Sequence, residues 1–491
     1  MKSPALNRFR RASPVCTFAC LLLCSSAHLF AQERFRKTPP YPDPSQDLRL
    51  PLIESVRLSN GLRLALGTKE NLPQMCLQLV IFAGEADSPA KTPGLATFAA
   101  QMIGRGTQFL SSSDIEEDVE AMGGNFSAVA GLDCTVFSLS FLESYLDQAL
   151  DLLSKMILQP TFPDREVDTV KRTLFYDLLE KAKDPDFVAK RQLVRLLFGN
   201  HPYRLAAHNE DVIKNFGQKE LIVFFEKFYR PGNALIVLAG NLNLTTASRK
   251  VSHYFNTWMD KPLERAYPPP PEANDQIRVC FLDLPQAKDA TIYLGNIIFP
   301  IYSSDYFPFI VFNQVLGGTP NSRLFMNLRE SKAFAYFAFS EAEFYKSCGL
   351  FFVRARVTPE ATYASIQEIL KEIQSVSREK ISTSEIEQAK TSLIGNFPLK
   401  NERLDRFSST IAEIQTFNLG EERWSRYYEN VMLVNSESVF EVVQRYPLLS
   451  PIIVIVGNKD YVFDYLRDFQ KVEIYDSKGV LKSTISKGVS E

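Results

Sequence analysis

The chain has 491 residues, enough for two or three domains, and 45% of them are hydrophobic and 23% charged. Its formal net charge of −2 argues against a nucleic-acid-binding protein and against one drawn to an anionic membrane surface. Beyond residue 31 no run of 18 uninterrupted apolar residues occurs, so the sequence predicts no membrane span in the mature chain.

Residues 1–31 are typical of a signal peptide. A basic stretch with three arginines precedes a mostly apolar segment, and Ala31 is a plausible cleavage position. We therefore expect an exported protein, most directly a periplasmic one. An uncleaved anchor, a lipid-anchored form and a secreted form are the alternatives. Residues 32–52 are rich in proline and charge and predict an extended lead-in.

Four cysteines remain after the leader, at positions that are far apart in the sequence: Cys76, Cys134, Cys280 and Cys348. Their flanking residues resemble buried strands, which favours buried free thiols. A disulfide formed after export stays open, because spacing alone does not assign a pairing.

Strands and helices can be predicted along the first half. The run VRLSNGLRLALG predicts two strands joined by a tight turn at Asn60-Gly61, and residues 76–84 predict a third strand. A helix is predicted over residues 94–107. The next helix is predicted to start with a capping box from Ser113 to Glu116.

Further helices are predicted over residues 163–183 and 219–228, followed by a buried strand over residues 233–240. A proline-rich run at 267–272 then predicts a linker. Beyond it the plan repeats, because ALIVLAGN, which ends at Asn241, matches PIIVIVGN 217 residues later.

These patterns predict an α+β fold of two tandem homologous domains, each an antiparallel sheet with helices packed on it. The predicted limits are a signal peptide at 1–31, a lead-in at 32–52, an N-terminal domain at 53–262, a linker at 263–275, a C-terminal domain at 276–480 and a tail at 481–491.

Four blocks of sequence resemble the pitrilysin/insulinase family of zinc metallopeptidases, in its two-domain branch that includes bacterial and mitochondrial processing peptidases. The blocks are GLATFAAQMIGRGT, DPDFVAKRQLVRLLFGNHPY, FFEKFYRPGNALIVLAGN and LGGTPNSRLFMNLRESKAFAYFAFS. The last block is long and specific. The resemblance implies the fold known as mitochondrial processing peptidase/LuxS-like.

The resemblance also implies a metal site that this chain has lost. The family carries H-x-x-E-H on the helix of the first block, with a glutamate further along the chain. Here the two histidine positions are Thr97 and Gln101, the glutamate position is Ala100, and the distal ligand falls at or beside Asp177. We therefore expect no metal in this chain.

A substitute zinc site built from other histidines is not favoured. After residue 31 the chain has His201, His208 and His253, and no two of them are spaced i, i+4. His201 lies in HPYR, a segment that predicts a structural turn.

The polar residues of the fourth block are intact. In the family an arginine and a tyrosine seven residues later hold the substrate backbone and the oxyanion, and here they are Arg329 and Tyr336. Arg329 is predicted near the end of a short helix that begins around Ser322, and Tyr336 on the next strand. Alternatively, Arg329 and Glu330 form an ordinary surface pair and Tyr336 is a core aromatic residue.

Two hypotheses follow from the resemblance. In the first, the chain is the zinc-free subunit of an exported metallopeptidase. It is inactive alone and supplies Arg329 and Tyr336 in trans to a zinc-bearing relative that hydrolyses peptides or unfolded proteins. In the second, it is a structural or peptide-binding envelope protein without any part in catalysis. No serine, cysteine or nucleotide-binding motif supports an unrelated active site.

Overall fold

A computed structural model describes residues 51–487 of the chain, except residues 71, 266, 267, 273 and 447. The predicted signal peptide and nearly all of the predicted lead-in lie outside the described residues. Within the described part, none of the helices combines the length and the apolar character needed to cross a membrane.

The first half forms a six-stranded sheet in the order β1-β2-β6-β3-β5-β4. Its strands are β1 (Ile53–Arg57), β2 (Arg63–Thr68), β3 (Gln74–Ile81), β4 (Asn125–Ala130), β5 (Thr135–Leu142) and β6 (Ala234–Gly240). Its α-helices are α1 (Leu95–Met102), α2 (Ser112–Ala121), α3 (Leu146–Leu158), α4 (Asp164–Lys181), α5 (Pro185–Phe198), α6 (Gln218–Phe228) and α7 (Leu244–Phe255).

The second half forms a seven-stranded sheet in the order β13-β12-β7-β11-β8-β10-β9. Its strands are β7 (Arg278–Asp283), β8 (Ala290–Ile298), β9 (Ala335–Phe344), β10 (Gly349–Val357), β11 (Ile452–Gly457), β12 (Lys471–Tyr475) and β13 (Leu481–Ser486). Its α-helices are α8 (Tyr306–Leu316), α9 (Arg323–Phe325), α10 (Thr362–Arg378), α11 (Thr383–Lys400), α12 (Leu404–Phe417), α13 (Glu422–Ser425), α14 (Tyr427–Met432), α15 (Ser436–Arg445) and α16 (Lys459–Val462).

Shorter helical segments complete the description. They are the 3₁₀ turns Glu85–Asp87, Glu143–Tyr145, Pro202–Ala207, Glu210–Asn215, Pro231–Asn233, Pro359–Ala361 and Phe463–Leu466, and a π-helical turn at Met326–Ser331.

Both sheets share one topology, which confirms the predicted α+β fold of two tandem homologous domains. The order β2-β6-β3-β5-β4 in the first sheet is repeated as β7-β11-β8-β10-β9 in the second. The sheets are mostly antiparallel, as predicted, but β2 pairs in parallel with β6, and β7 with both β11 and β12. Parallel pairing is possible here because the two strands of each pair are separated by a long connection that contains helices.

The two halves exchange one helix each. α5, from the first half, packs on β8 and β11 of the second sheet, and α12, from the second half, packs on β2, β3 and β6. Both helices lie very close to the sheets. A Cβ added to Gly295 would be 2.7 Å from Leu193 of α5, and a Cβ added to Gly67 would be 2.4 Å from Ile411 of α12. A buried cluster of α5 and second-sheet side chains therefore forms a core shared by both halves.

The predicted hairpin at Asn60-Gly61 is present as β1 paired antiparallel with β2. Gly61 has φ of +88°, a conformation that favours glycine, and Leu62 N–H donates to the Asn60 side chain at 3.2 Å.

One local prediction was wrong. The capping box of α2 is formed by Ser111 and Asp114, because the extended backbone at Ser111 makes it the N-cap instead of Ser113. Within the predicted tail, Leu481–Ser486 forms β13, which pairs with β12 at the sheet edge and is mostly exposed, so its sequence lacks the alternation of a half-buried strand. The predicted domain limits stay predictions.

All four cysteines of the described chain are free thiols, and Cys76, Cys280 and Cys348 are buried. Burial raises the pKa of the Cys76 thiol to about 11. These thiols therefore stay protonated at neutral pH and act as small apolar side chains.

Candidate functional site

The block 94–107 forms α1 followed by an irregular turn, so the predicted helix is shorter than expected. α1 begins after Gly94, whose φ is +92°, and it ends at Met102. The helix stops there because Ile103 is extended and Gly104 has φ of +89°.

α1 turns an apolar face into the core of the first half. Ala100 and Phe98 are fully buried, whereas Thr97 and Gln101 are half-buried. The helix thus presents the two former histidine positions together, as i, i+4 spacing requires.

A buried carboxylate from outside the helix holds the amino end of α1. Glu85, which is 4% exposed, accepts hydrogen bonds from Gly94 N at 3.0 Å, Thr97 N at 2.9 Å and Ser88 Oγ at 3.1 Å. Its Oε1 also lies 2.5 Å from Thr97 Oγ1. The negative charge therefore meets the positive end of the helix dipole, and the Thr97 hydroxyl is already occupied.

These residues do not fit a zinc ion. Thr97 is bonded to Glu85, Ala100 has no donor atom, and Gln101 offers only a neutral amide. Asp177 lies on α4, which packs against α1, and its side chain is exposed. Over residues 51–487, with the gaps given above, no group of three or more His, Cys, Asp or Glu side chains could hold a metal.

The remaining histidines have separate places in the fold. His201 caps the 3₁₀ turn after α5, where its Nδ1 accepts from Tyr203 N at 3.2 Å. His208 Nδ1 lies 3.0 Å from the Leu205 carbonyl oxygen, and His253 lies on α7. HPYR is a structural turn, as the sequence predicts.

A cavity of about 520 Å³ lies beside Gln101 and along β4. Four consecutive β4 residues, from Asn125 to Ala128, line it. Because neighbouring residues of a strand point to opposite faces, a cavity touching four in a row follows the backbone edge of the strand. β4 is an edge strand of the first sheet, so an extended peptide could pair with this edge.

In the second half, the segment that carries Arg329 and Tyr336 departs from regular backbone three times. Ser322 is the N-cap of α9, as predicted, and the chain continues into the π-helical turn that contains Arg329. Ala333 has φ of +53°, which is rare for a residue with a Cβ. Tyr336 is then the extra residue of a β-bulge, because Ala335 and Phe337 pair with the consecutive residues Val357 and Arg356.

Both side chains point to solvent. Tyr336 is 58% exposed, so it is not the core aromatic residue of the alternative interpretation. Arg329 lies 3.7 Å from Glu330 and 4.8 Å from the centre of the Phe325 ring, and its side chain is 51% exposed. Arg329 and Glu330 do form a surface ion pair. Because the pair is long and exposed, it contributes less than about 1 kcal/mol to the stability of the fold.

Three contacts anchor this segment to the helices behind it. Arg323 donates to both carboxylate oxygens of Glu385, at 2.7 and 3.0 Å. Asn327 donates to Glu368 at 3.1 Å, and Lys332 pairs with Glu368 at 3.2 Å. The irregular backbone around Arg329 is therefore fixed on both sides.

A polar junction that the sequence did not reveal joins the two halves. The carboxylate of Asp133, in the β4–β5 hairpin, accepts from Tyr203 Oη at 2.6 Å and from Lys346 N at 2.9 Å. Tyr203 Oη accepts in turn from Ser347 N at 3.1 Å. Tyr203 of HPYR is the one member of this junction that lies in a recognised sequence motif. Neither Asp133 nor Glu85 lies in a motif that suggests its role.

Two family models match the chain. The model described as "Insulinase (Peptidase family M16)" matches residues 63–210, and the model described as "Peptidase M16 inactive domain" matches residues 215–393. The chain is 23% identical to "Uncharacterized zinc protease YmxG" of Bacillus subtilis, over 72% of this chain and 85% of that relative. It is 26% identical to "Non-peptidase homolog YmxG" of Helicobacter pylori, over 68% of this chain and 77% of that one.

Solved structures share the fold. A peptidase M16 inactive domain from Pseudomonas fluorescens superposes with a TM-score of 0.78 at 20% identity, over 83% of this chain and 98% of that one. A protease from Helicobacter pylori superposes with a TM-score of 0.79 at 19% sequence identity, over 83% of this chain and 100% of that one. The first half of the periplasmic protease PqqL from Escherichia coli superposes with a TM-score of 0.68 at 16% sequence identity, over 84% of this chain and 93% of that one.

Proposed function

The chain belongs to the insulinase family of peptidases, family M16, as a homologue without the zinc motif, and we propose that it is the zinc-free subunit of a two-chain metallopeptidase. In this proposal a zinc-bearing relative holds the metal, and this chain supplies Arg329 and Tyr336 to the peptide at that metal. Alone, the chain hydrolyses nothing.

One observation carries the proposal. The chain lacks both histidines and the glutamate of the zinc motif, yet it presents Arg329 and Tyr336 in exposed positions on an irregular, well-anchored segment. π-helical turns and β-bulges are both over-represented at functional sites, where they re-aim side chains. A protein that served only as a scaffold would have no use for a strained backbone around two exposed polar side chains.

The chemistry of the pair suits peptide hydrolysis. A guanidinium donates a planar fork of N–H groups and a phenol donates one O–H, and both can stabilise negative charge that develops on a carbonyl oxygen. Each donor is worth about 3 kcal/mol, or roughly a hundredfold in rate, when it acts on the transition state.

The cavity along β4 supports a peptide as the substrate. A peptide paired with this edge would satisfy its backbone through the sheet, which is independent of its sequence. The proposed substrates are therefore extended peptides or unfolded proteins.

Export to the periplasm is also part of the proposal. It is supported by the basic and apolar pattern of residues 1–31, and the structurally similar PqqL is named a periplasmic protease.

The test is reconstitution with a zinc-bearing relative from the same organism and an assay of an unfolded peptide. We expect Arg329→Ala and Tyr336→Phe each to lower kcat of the pair by about a hundredfold. Matched controls are Arg426→Ala and Tyr461→Phe, which change side chains of similar exposure, and these should leave kcat unchanged.

Two results would contradict the proposal. Full activity of the complex with both Arg329→Ala and Tyr336→Phe would show that the pair takes no part and would favour the structural or peptide-binding alternative. Stoichiometric zinc in the purified lone chain would show that the chain is a metalloenzyme by itself.

A further inference from the structure

The π-helical turn that carries Arg329 is held at both ends by one side chain of a neighbouring helix. Glu368 lies on α10, and its side chain is 17% exposed. One of its carboxylate oxygens accepts from Asn327 Nδ2 at 3.1 Å, near the start of the turn. The other lies 3.2 Å from Lys332 Nζ, directly after the end of the turn. Arg329 therefore lies between the two points that Glu368 holds.

The same two residues close the backbone of the turn. Lys332 N donates to the Asn327 carbonyl oxygen at 3.1 Å, five residues back, whereas in an α-helix that carbonyl would accept from the residue four positions on. Because an α-helix advances about 100° per residue, a change to the α-helical pattern would turn the side chains of this segment by up to about that angle. The contacts of Glu368 therefore bear on the direction in which Arg329 points.

The contacts of the Arg329 side chain itself are weak. It is 51% exposed, its ion pair with Glu330 is 3.7 Å long, and its guanidinium carbon lies 4.8 Å from the centre of the Phe325 ring. An exposed pair of this length holds a side chain loosely. The direction of the guanidinium therefore depends more on the backbone of the turn than on these contacts.

Glu368 carries a negative charge when it makes its contacts. The hydrogen bond from Asn327, together with the charge of Lys332, holds the pKa of the Glu368 carboxyl below its usual range. Asn327 Nδ2 also donates to Glu372 Oε1 at 2.6 Å, one turn further along α10, and the exposed Lys371 lies 3.8 Å from Glu368. Glu368 is the member of this group that contacts both ends of the turn.

We propose that Glu368 is a positioning residue for Arg329. It holds Asn327 and Lys332 together and so keeps the guanidinium aimed at the substrate, without touching the substrate itself. The proposal rests on the proposed function, because it takes from there the action of Arg329 on the peptide oxyanion. Such an action depends steeply on geometry, since a misplacement of about 1 Å can cost about a hundredfold in rate.

The first test uses the full chain without a partner. Hydrogen–deuterium exchange followed by mass spectrometry should be about tenfold or more faster over residues 326–334 in Glu368→Ala than in the wild type. Glu437→Ala is the matched control: it removes an exposed glutamate that pairs with Lys380, and it should leave exchange over 326–334 unchanged. Unchanged exchange in Glu368→Ala would overturn the proposal.

The second test is a double-mutant cycle in the complex with the zinc-bearing relative. Glu368→Ala should lower kcat about tenfold and leave KM within about twofold, because the lost interaction acts in the transition state. Added to Arg329→Ala, it should lower kcat by less than about twofold more, since the group that it positions is already gone. A residue that only stabilised the fold would lower the activity in both backgrounds.

The results separate this proposal from the proposed function. If Arg329→Ala slows the complex and Glu368→Ala does not, the positioning role is wrong and the proposed function stands. If Arg329→Ala has no effect, both are wrong. Equal losses from Glu368→Ala with and without Arg329 would show a structural role and would also overturn the proposal. If Glu368→Ala fails to fold, Glu368→Gln takes its place in both tests, because it removes the charge that pairs with Lys332 and keeps the size of the side chain.

Discussion

Glu85 is the residue on which the shape of the former metal site depends. A single carboxylate takes hydrogen bonds from the backbone of Gly94 and Thr97 and from Ser88 Oγ, and it contacts the Thr97 hydroxyl. Here the helix is held at its amino end by a negative charge that offsets its dipole.

We predict that Glu85→Ala lowers the free energy of unfolding by about 2–4 kcal/mol, because it leaves buried N–H groups without acceptors. The measurement is urea denaturation followed by circular dichroism. Glu117→Ala removes an exposed glutamate from α2 and should change stability by less than about 0.5 kcal/mol. Equal effects of the two substitutions would show that Glu85 does not hold α1.

At the scale of elements, residues 322–336 form one irregular segment that holds Arg329 and Tyr336 in exposed positions. The π-helical turn, the left-handed Ala333 and the bulge at Tyr336 each cost free energy, and the contacts of Arg323 and Asn327 with α10 and α11 offset that cost.

Ala333 gives a direct test of the strained turn, because its side chain is exposed and makes no core contact. We predict that Ala333→Val destabilises the protein by about 1–2 kcal/mol, since a β-branched residue tolerates positive φ poorly. The free energy of unfolding of Ala333→Gly should be within about 1 kcal/mol of the wild-type value or higher. Thermal and urea unfolding measure both. Identical stability of the valine and glycine variants would argue against a left-handed residue here.

The Arg323–Glu385 pair predicts a pH dependence. Hydrogen bonds from Arg323 hold the pKa of the Glu385 carboxyl below its usual range, so the pair stabilises the fold above the unfolded pKa of about 4.3. That contribution is lost as the pH falls through the lowered folded pKa.

The difference in unfolding free energy between wild type and Arg323→Met should therefore be largest above about pH 5 and should shrink below about pH 4. Urea unfolding at four pH values measures it. Arg426→Met, at an exposed pair with Glu429, serves as the control and should show a small difference throughout. A difference for Arg323→Met that grew on acidification would contradict the assignment.

At the scale of the whole molecule, the exchange of α5 and α12 makes the two halves one folding unit. Each sheet is covered on one face by a helix whose sequence belongs to the other half. Asp133 and Tyr203 add polar contacts between the halves, because they accept from the backbone N–H groups of residues 346 and 347. Neither half buries its own sheet completely without the other.

We predict that the halves stay together after the linker is cut. A protease site inserted at residues 268–271 and cleaved after folding should give two fragments that co-elute in size-exclusion chromatography and unfold in a single transition. Residues 53–262 and 276–487 expressed separately should each expose apolar surface and fold poorly. Separation of the cleaved fragments without denaturant would contradict the exchanged-helix interface.

The sequence predicted much of this molecule because many of its signals are local. Turn residues such as Asn60-Gly61 and alternating apolar runs defined strands, and two matching strand ends 217 residues apart indicated the duplication. The absence of both histidines and of the glutamate at Thr97, Gln101 and Ala100 could also be read directly, because the chemistry of these positions depends on residue type.

What only the tertiary structure decided is which surfaces meet. Apolar periodicity on α5 and α12 marks a buried face, but it does not say which sheet covers that face. The partners of Glu85 and Asp133 and the bulge that turns Tyr336 to solvent depend on contacts that the sequence pattern does not specify. Sequence determined the residue types and the elements of this chain, and packing determined the environment in which each side chain acts.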